Sequence, residues 1–323
     1  MGIEEATIDN SKTILVIGSI GMDQTIFMRQ VPKLGEAQFG EIKDSPGGKG
    51  NNQAVACARA GGATTFIGVV GDDFHDELKK ALEYDNITPI LLIKKNVKTH
   101  KAIILVESNG ISKTLVNPGA DEYLDTNLID KNIKLIKNSY IIIFDLEIPL
   151  QTVSYAINKC YENNKIIILR PSFIASEYHE ELSEDTIKKV NYLIVNESEL
   201  SLISKLPASN EEQIESACKK IMEMEPQNLI VVLKKNGCIL WNKEVSNKKY
   251  CSYYDENDIK DFTGAVDCFI GVFAAYLSKN YGLDEAIKYA NLAVSICVKK
   301  VGTIVSYPKL EEINIERRKH PNW

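Results

Sequence analysis

Asp261-Phe262-Thr263-Gly264-Ala265-Val266-Asp267-Cys268-Phe269 opens an apolar run that continues to Leu277. The spacing predicts a buried helix over residues 265–279, preceded by a Gly-Ala pair and carrying an acid, Asp267, in its first turn. The N–H groups of a first helical turn have no intrahelical acceptor, and the positive end of the helix dipole lies there too, so an anion is favoured. A carboxylate beside such a terminus suits a general base that deprotonates a hydroxyl as a phosphoryl group arrives. An acid in a first turn also serves the dipole or caps the helix, so the rest of the chain decides its role.

Outward from that helix, short β-rich runs at 13–20, 65–70, 141–145, 166–169, 192–195 and 229–233 alternate with helical stretches. The latter lie at 49–60, 73–84, 125–134, 151–161, 197–202, 210–223, 265–279 and 284–301. Nearly continuous apolar strands separated by helices predict an α/β protein, a central mostly parallel sheet flanked by helices on both faces. Residues 26–43 and 101–116 break the rhythm, with polar alternation and turn residues such as Ser108-Asn109-Gly110. They predict a small antiparallel sheet standing off the main body, a lid or a dimer contact. The Asn/Lys-rich patches at 158–165 and 242–249 read as solvated surface.

Composition narrows the classes of function. A chain of 323 residues, 44% hydrophobic and 25% charged, is an ordinary globular composition with enough length for one large α/β core. A net charge of −6 (38 basic against 44 acidic residues) argues against a nucleic-acid or anionic-membrane partner. No apolar run reaches about 18 residues, so no membrane span is expected. Residues 1–12 are acidic and polar, without the basic-then-apolar layout of a secretory signal. Seven cysteines (57, 160, 218, 238, 251, 268 and 297) are scattered without a Cys-x-x-Cys pair. They read as buried thiols in a reducing compartment, and the cytoplasm is the expected location.

A second glycine cluster, Pro46-Gly47-Gly48-Lys49-Gly50-Asn51-Asn52-Gln53-Ala54, leads into a helix of small residues. Gly-Gly lets backbone approach a ligand closely, and Asn52 offers both donor and acceptor to sugar-like hydroxyls. The cluster lacks the upstream glycine and the following Ser/Thr of a P-loop. With Gly18-Ser19-Ile20-Gly21-Met22-Asp23, Gly71-Asp72-Asp73, Leu146-Glu147, Asn196-Glu197-Ser198-Glu199, Asp261 to Phe269 and Gly302-Thr303-Ile304-Val305-Ser306, it runs in colinear order from 13 to about 310. In these motifs the chain resembles the ribokinase-like carbohydrate kinases. The resemblance implies one ribokinase-like α/β kinase domain over 13–310, a lid from about 22–45 and 97–117, and terminal extensions at 1–12 and 311–323.

It further implies transfer of the ATP γ-phosphate, with Mg2+, to a primary hydroxyl of a sugar. D-ribose leads, with deoxyribose, fructose or a nucleoside behind it. Carried over, Asp267 is the base, and the N–H groups of Gly264, Ala265, Val266 and Asp267 form the anion hole. Asp23, Gly47, Gly48, Asn52 and Glu147 hold the sugar; Asn196, Lys234 and Gly237 serve the nucleotide. Glu199 supports magnesium through water, and Asp261, Thr263, Cys297, Lys300, Gly302 and Ser306 hold K+. A homodimer through the lid is expected as well.

The chain also departs from that pattern. Val266 stands where glycine usually precedes the base, adding β-branched bulk where phosphate must approach and resisting any positive φ. Phe262 replaces a small Thr, and Cys268 a Thr or Ala. Val232-Leu233-Lys234 replaces Thr-Leu-Gly in the nucleotide loop, Gly21 replaces an Asn that bonds the sugar, and Arg170 replaces Asn or Asp before Pro171. Two readings follow: an active sugar kinase, slowed or shifted in specificity, and a weakened descendant that binds sugar or nucleotide as a sensor or scaffold. Survival of Asp267, Asn52, Glu147 and Glu199 together favours the enzyme.

Overall fold

The computed structural model describes residues 12–108, 112–172 and 182–320. Its strands are β1 (Ile14–Ile17), β2 (Gly21–Met28), β3 (Glu41–Gly47), β4 (Thr64–Gly71), β5 (Thr88–Lys94), β6 (His100–Glu107) and β7 (Ser112–Asn117). They continue with β8 (Ile141–Asp145), β9 (Ile166–Arg170), β10 (Tyr192–Asn196), β11 (Asn228–Val232), β12 (Cys238–Asn242) and β13 (Lys248–Tyr250). The helices are α1 (Lys49–Arg59), α2 (His75–Tyr84), α3 (Thr126–Lys131), α4 (Ile133–Asn138), α5 (Leu150–Glu162) and α6 (Glu184–Ile187). After them come α7 (Glu197–Ser204), α8 (Glu211–Met222), α9 (Ala265–Ser278), α10 (Leu283–Cys297) and α11 (Leu310–Arg318).

β-Branched runs such as Ile-Ile-Ile-Phe in β8 and Ile-Ile-Ile-Leu in β9 fill the middle of a nine-stranded sheet, ordered β13-β12-β11-β10-β9-β8-β1-β4-β5. The seven strands from β11 to β5 run parallel, and β12 and β13 form an antiparallel edge. Alternation sends Ile14, Val16, Ile141 and Ile143 to a core shared with α1, α9 and α10. Their neighbours Leu15, Ile17, Ile142 and Phe144 join α3, α5 and α8 on the opposite face. The expected sandwich of helices around a mostly parallel sheet is thus present. No helix among the described residues is long and apolar enough to cross a membrane.

A second sheet has the order β3-β2-β6-β7. Its outer pairs are antiparallel, but the central pair β2–β6 is parallel, with Gly21 opposite His100, which corrects the wholly antiparallel sheet expected. Asn109 and Gly110 of the anticipated turn lie outside the described residues.

Other boundaries differ for physical reasons. β1 stops at Ile17, and residues 18–20 carry the chain across to the small sheet. The predicted helix over 125–134 is two, divided at Asn132. β13 uses Lys248–Tyr250, part of the stretch read as solvated, because a short edge strand with two lysines has little apolar signal. Residues 311–318, expected to be an extension, belong to α11, whose Ile313 is fully buried.

All of α9 is buried, and it packs tightly on α1. A Cβ at Gly271 would lie 2.4 Å from the Gln53 carbonyl and 2.6 Å from the Ala56 Cβ. Gly271→Val should therefore push the two helices apart and cost roughly 1–3 kcal/mol of stability, seen as a lower urea midpoint in chemical denaturation. An unchanged midpoint would mean that the helices are not held at this separation.

Candidate active site

The parallel strands step outward in opposite directions from β1 and β8, and the crevice beyond their carboxyl ends is where α/β sheets bind ligands. Asp145, the last residue of β8, has no exposure there. Its Oδ2 accepts from the Ser19 N–H at 3.0 Å and its Oδ1 from the Glu147 N–H at 2.8 Å. Gly18 and Gly50 surround this carboxylate, since a Cβ on either would lie 2.1 Å and 2.7 Å from Oδ2. Burial, reinforced by Glu147, pushes the Asp145 carboxyl up to about 6. Glu147 accepts from the Ser19 hydroxyl at 2.9 Å, from the Lys49 N–H at 3.2 Å and from the Lys49 ammonium. Burial would raise its carboxyl, but Lys49 and then His100 outweigh it and hold the group at about 2.

Asp23 on β2 faces this floor and is 8% exposed. Burial lifts its carboxyl to about 6, with His100 opposing and Glu147 adding to the rise. Gly47 is glycine because a Cβ there would meet the Asp23 carboxylate at 2.1 Å. Gly48 has φ +90° at the N-terminus of α1, hard against Ile20. Asn51, Asn52 and Gln53 are buried on the first turns of α1. Asn51 Nδ2, Asn52 Oδ1 and Gln53 Oε1 find no hydrogen-bond partner among the described residues. Buried amides left open in a cleft await a polar ligand. Gly21 has a structural cause: a Cβ on it would lie 2.2 Å from the His100 carbonyl.

At the other end, Asp267 sits in the first turn of α9 and is 2% exposed. Its Oδ1 accepts from Gln53 Nε2 at 2.9 Å and from Arg170 Nη1 at 2.5 Å, whereas Oδ2 accepts nothing among the described residues. Arg170 ends β9 and donates as well to Glu199 Oε1 from Nε at 3.0 Å, with Nη2 at 2.9 Å from the same oxygen. Burial disfavours the guanidinium charge, but Asp267 and Glu199 more than restore it. Arg170, standing where Asn or Asp is usual before Pro171, thus lies on Asp267.

Gly264 caps α9 with φ +75°, and a Cβ there would meet the Tyr307 hydroxyl at 2.5 Å. Val266 is not in the positive-φ region, and its side chain packs in the core. The strain anticipated at Val266 therefore falls on Gly264, which accepts it freely. The Ala265 N–H donates to the Phe262 carbonyl at 3.2 Å, so it is withdrawn from the expected anion hole. The N–H groups of Gly264, Val266 and Asp267 have no backbone acceptor among the described residues.

Asn196 and Glu199 form a reciprocal capping box on α7, with Glu199 N to Asn196 Oδ1 at 2.8 Å and Asn196 N to Glu199 Oε2 at 2.9 Å. Both oxygens of Glu199 are thereby engaged. One oxygen faces the Arg170 guanidinium and the other the Asn196 amide. Among the described residues no cluster of three or more His, Cys, Asp or Glu could hold a metal ion.

Among the residues expected to hold K+, two sets of contacts are present. Asp261 accepts from the N–H groups of Thr263 and Gly302, both at 2.9 Å, tying the two loops together. Cys297 Sγ lies 2.9 Å from Ser306 Oγ. The carbonyls of Thr263, Lys300 and Gly302 accept no hydrogen bond among the described residues, while that of Cys297 is taken by the Lys300 N–H. Free carbonyls around a carboxylate are a suitable donor set for such a cation.

Lys234 and Gly237 follow β11 in a tight turn, where the Leu233 N–H bonds the Gly237 carbonyl at 2.8 Å. Gly237 has φ +82° and leaves 2.0 Å between a notional Cβ and the Tyr250 carbonyl, so its glycine is a requirement of the turn. The Lys234 backbone N–H donates to Glu197 at 2.8 Å. Sequence reading missed Asp145, Gln53, Lys49, His100 and Asp121. Lys49 and Gln53 lay within the quoted glycine cluster; the others carry no local signal.

A profile described as pfkB family carbohydrate kinase matches residues 11–310. The chain is 31% identical to a ribokinase of Dictyostelium discoideum, over 93% of this chain and 99% of that one. It is 30% identical to a deoxyribokinase of Salmonella typhi, over 93% and 97%. Among solved structures, ribokinase from Thermotoga maritima superposes with a TM-score of 0.82 at 30% identity, covering 95% and 99%. Arabidopsis thaliana ribokinase complexed with ribose and ATP gives 0.85 at 23%, covering 95% and 98%.

Two predictions rest on these charges. Glu147 has its carboxyl lowered from 4.5 to about 2, so its contribution to stability is present above about pH 4.5 and fades as pH falls towards 2. The stability gap between wild type and Glu147→Gln should be widest near neutrality and close across that window in urea titrations at stepped pH. A gap independent of pH would show that the ion pair with Lys49 contributes nothing. Arg170→Met strands two buried carboxylates and should cost roughly 3–5 kcal/mol, measured by the same denaturation.

Proposed function

The chain belongs to the pfkB family of carbohydrate kinases, and from that premise we propose that it transfers the γ-phosphoryl of ATP to a primary hydroxyl of a pentose, D-ribose before 2-deoxyribose. The observation that carries this reading is Asp267. One carboxylate oxygen is held by Gln53 and Arg170, and the other is left unengaged at a helix terminus with three unsatisfied N–H groups. The names of the similar proteins, ribokinases and a deoxyribokinase, support a pentose. The ribose and ATP bound to the Arabidopsis protein, and the ADP bound to ribokinase from Cryptococcus neoformans, support the nucleotide.

In this mechanism Asp23, Asn52 and Glu147 hold the sugar with its primary hydroxyl towards Asp267. Oδ2 of Asp267 takes the hydroxyl proton, the oxygen bonds to the γ-phosphorus, and the bond to the β–γ bridging oxygen breaks as ADP leaves. The N–H groups of Gly264, Val266 and Asp267 donate to the phosphoryl oxygens as negative charge moves across them. Arg170 orients the base through Oδ1 and keeps a positive charge beside the reaction. A potassium ion at Asp261, Thr263, Cys297, Lys300, Gly302 and Ser306 would add positive charge behind the anion hole. Magnesium travels with the nucleotide; no residue of this chain is assigned to it.

The small sheet presents Ile42 and Leu115 to solvent, with Phe39 exposed in the loop before β3, which supports its use as a homodimer contact. The alternative of a slowed enzyme or a sensor draws on one observation, the ion pair by which Arg170 occupies one oxygen of Asp267. ADP release from ATP across ribose, 2-deoxyribose, fructose and nucleosides separates the readings. Turnover should appear on a pentose and fall at least about 100-fold in Asp267→Asn with ATP binding retained. Retained turnover in that variant would remove Asp267 from the role of base, and silence on every sugar with binding intact would favour the sensor.

A further inference from the structure

His100 opens β6 and plays no part in the mechanism above. In the parallel β2–β6 register it stands opposite Gly21, and Ala102 stands opposite Asp23. Residues two apart on a strand share a face, so His100 and Asp23 lie on the same face of the small sheet. The imidazole takes the room that a side chain at position 21 would need: a Cβ there would lie 2.7 Å from both Cβ and Cδ2 of His100.

The ring is firmly held. Its Nδ1 lies 2.8 Å from Asp121 Oδ2, and Asp121 Oδ1 accepts from the Ile20 N–H at 3.3 Å. The turn that leads into His100 is pinned by the Gly71-Asp72-Asp73 motif. Asp73 accepts from the Thr99 N–H and hydroxyl, the Gly71 N–H donates to that hydroxyl, and Asp72 accepts from the Asn96 N–H. Burial would favour the neutral ring, but Asp121, with Glu147 and Asp23, lifts it to about 9, so both nitrogens carry protons at neutral pH. Nε2 makes no hydrogen bond among the described residues and is not among the buried polar atoms left without a partner. His100 and Asp23 feel each other's charge without forming an ion pair. A donor and an acceptor on one face, close but unjoined, are placed to take one hydroxyl between them.

Resting on the sugar-kinase reading, we propose that His100 determines sugar specificity: Nε2–H donates to a secondary hydroxyl oxygen of the bound sugar, and that hydroxyl donates a hydrogen bond to Asp23. Six carboxylates (Asp23, Asp121, Asp145, Glu147, Glu199 and Asp267) surround a site whose cations are His100, Lys49 and Arg170. The ligand at this position is accordingly a neutral polyol and not a sugar acid.

The test is calorimetric binding of D-ribose and its monodeoxy analogues to wild type, to His100→Gln, and to the double variant His100→Leu/Asp121→Asn, which leaves no charge stranded if the single change impairs folding. Loss of a charged donor should weaken ribose about tenfold or more in either variant. One monodeoxy sugar, lacking the hydroxyl that His100 holds, should bind wild type and variant alike. Equal weakening of every analogue would reduce His100 to a structural role and overturn the proposal, as would unchanged ribose affinity. Wild type that turns over ribose beside such a result leaves the kinase reading intact. Wild type that binds none of these sugars would overturn both.

Discussion

One fully buried carboxylate, Asp145, ties the ends of β1 and β8 together, and the site is arranged around it. It accepts from the Ser19 and Glu147 N–H groups where the direction of strand succession reverses. It also forbids side chains at positions 18 and 50, which brings the N-terminus of α1 down onto β1. Buried ionisable groups are tolerated only when their hydrogen bonds are made, so removal of either backbone donor would destabilise the crevice itself. From this anchor Glu147 reaches Ser19 and Lys49, and the glycine pair at 47 and 48 can pass beneath Asp23.

A second constraint is the contact of α1 with α9. Gly271 lets the helices approach closely, and Gln53 then reaches Asp267 across the interface. Asp267 is held at the same oxygen by Arg170, which bridges to the capping box of α7. Residues from β9, α1, α7 and α9 thus fix one carboxylate by its Oδ1 and leave Oδ2 for chemistry. The guanidinium orients the carboxylate by holding one of its two oxygens. The other end of the crevice repeats the device with opposite sign, His100 being a cation held by the buried Asp121.

Much of this was legible in the chain. The alternation of apolar strands and amphipathic helices determined an α/β sandwich, because each apolar face has to be covered. The glycine clusters marked where backbone must come close to something, and Asp267 at the head of an apolar helix marked the site of charge. The break in periodicity at 26–43 and 101–116 marked a second sheet. Less legible were β13, whose edge position needs little apolar content, and α11, whose anchoring by Ile313 depends on distant partners.

Tertiary structure alone decided what the glycines and charges do. Gly21 reads as a lost contact until His100, 79 positions away in the chain, is seen to fill its volume. Val266 reads as an obstruction until Gly264 is seen to carry the positive φ. Arg170 reads only as a replacement of Asn or Asp before Pro171 until it is found on Asp267, 97 residues distant. Periodicity and composition are local quantities, and they determine which elements form and which face is buried. Pairing of charges and exclusion of side chains depend on distances that only the folded chain sets, and a sequence carries no local record of them.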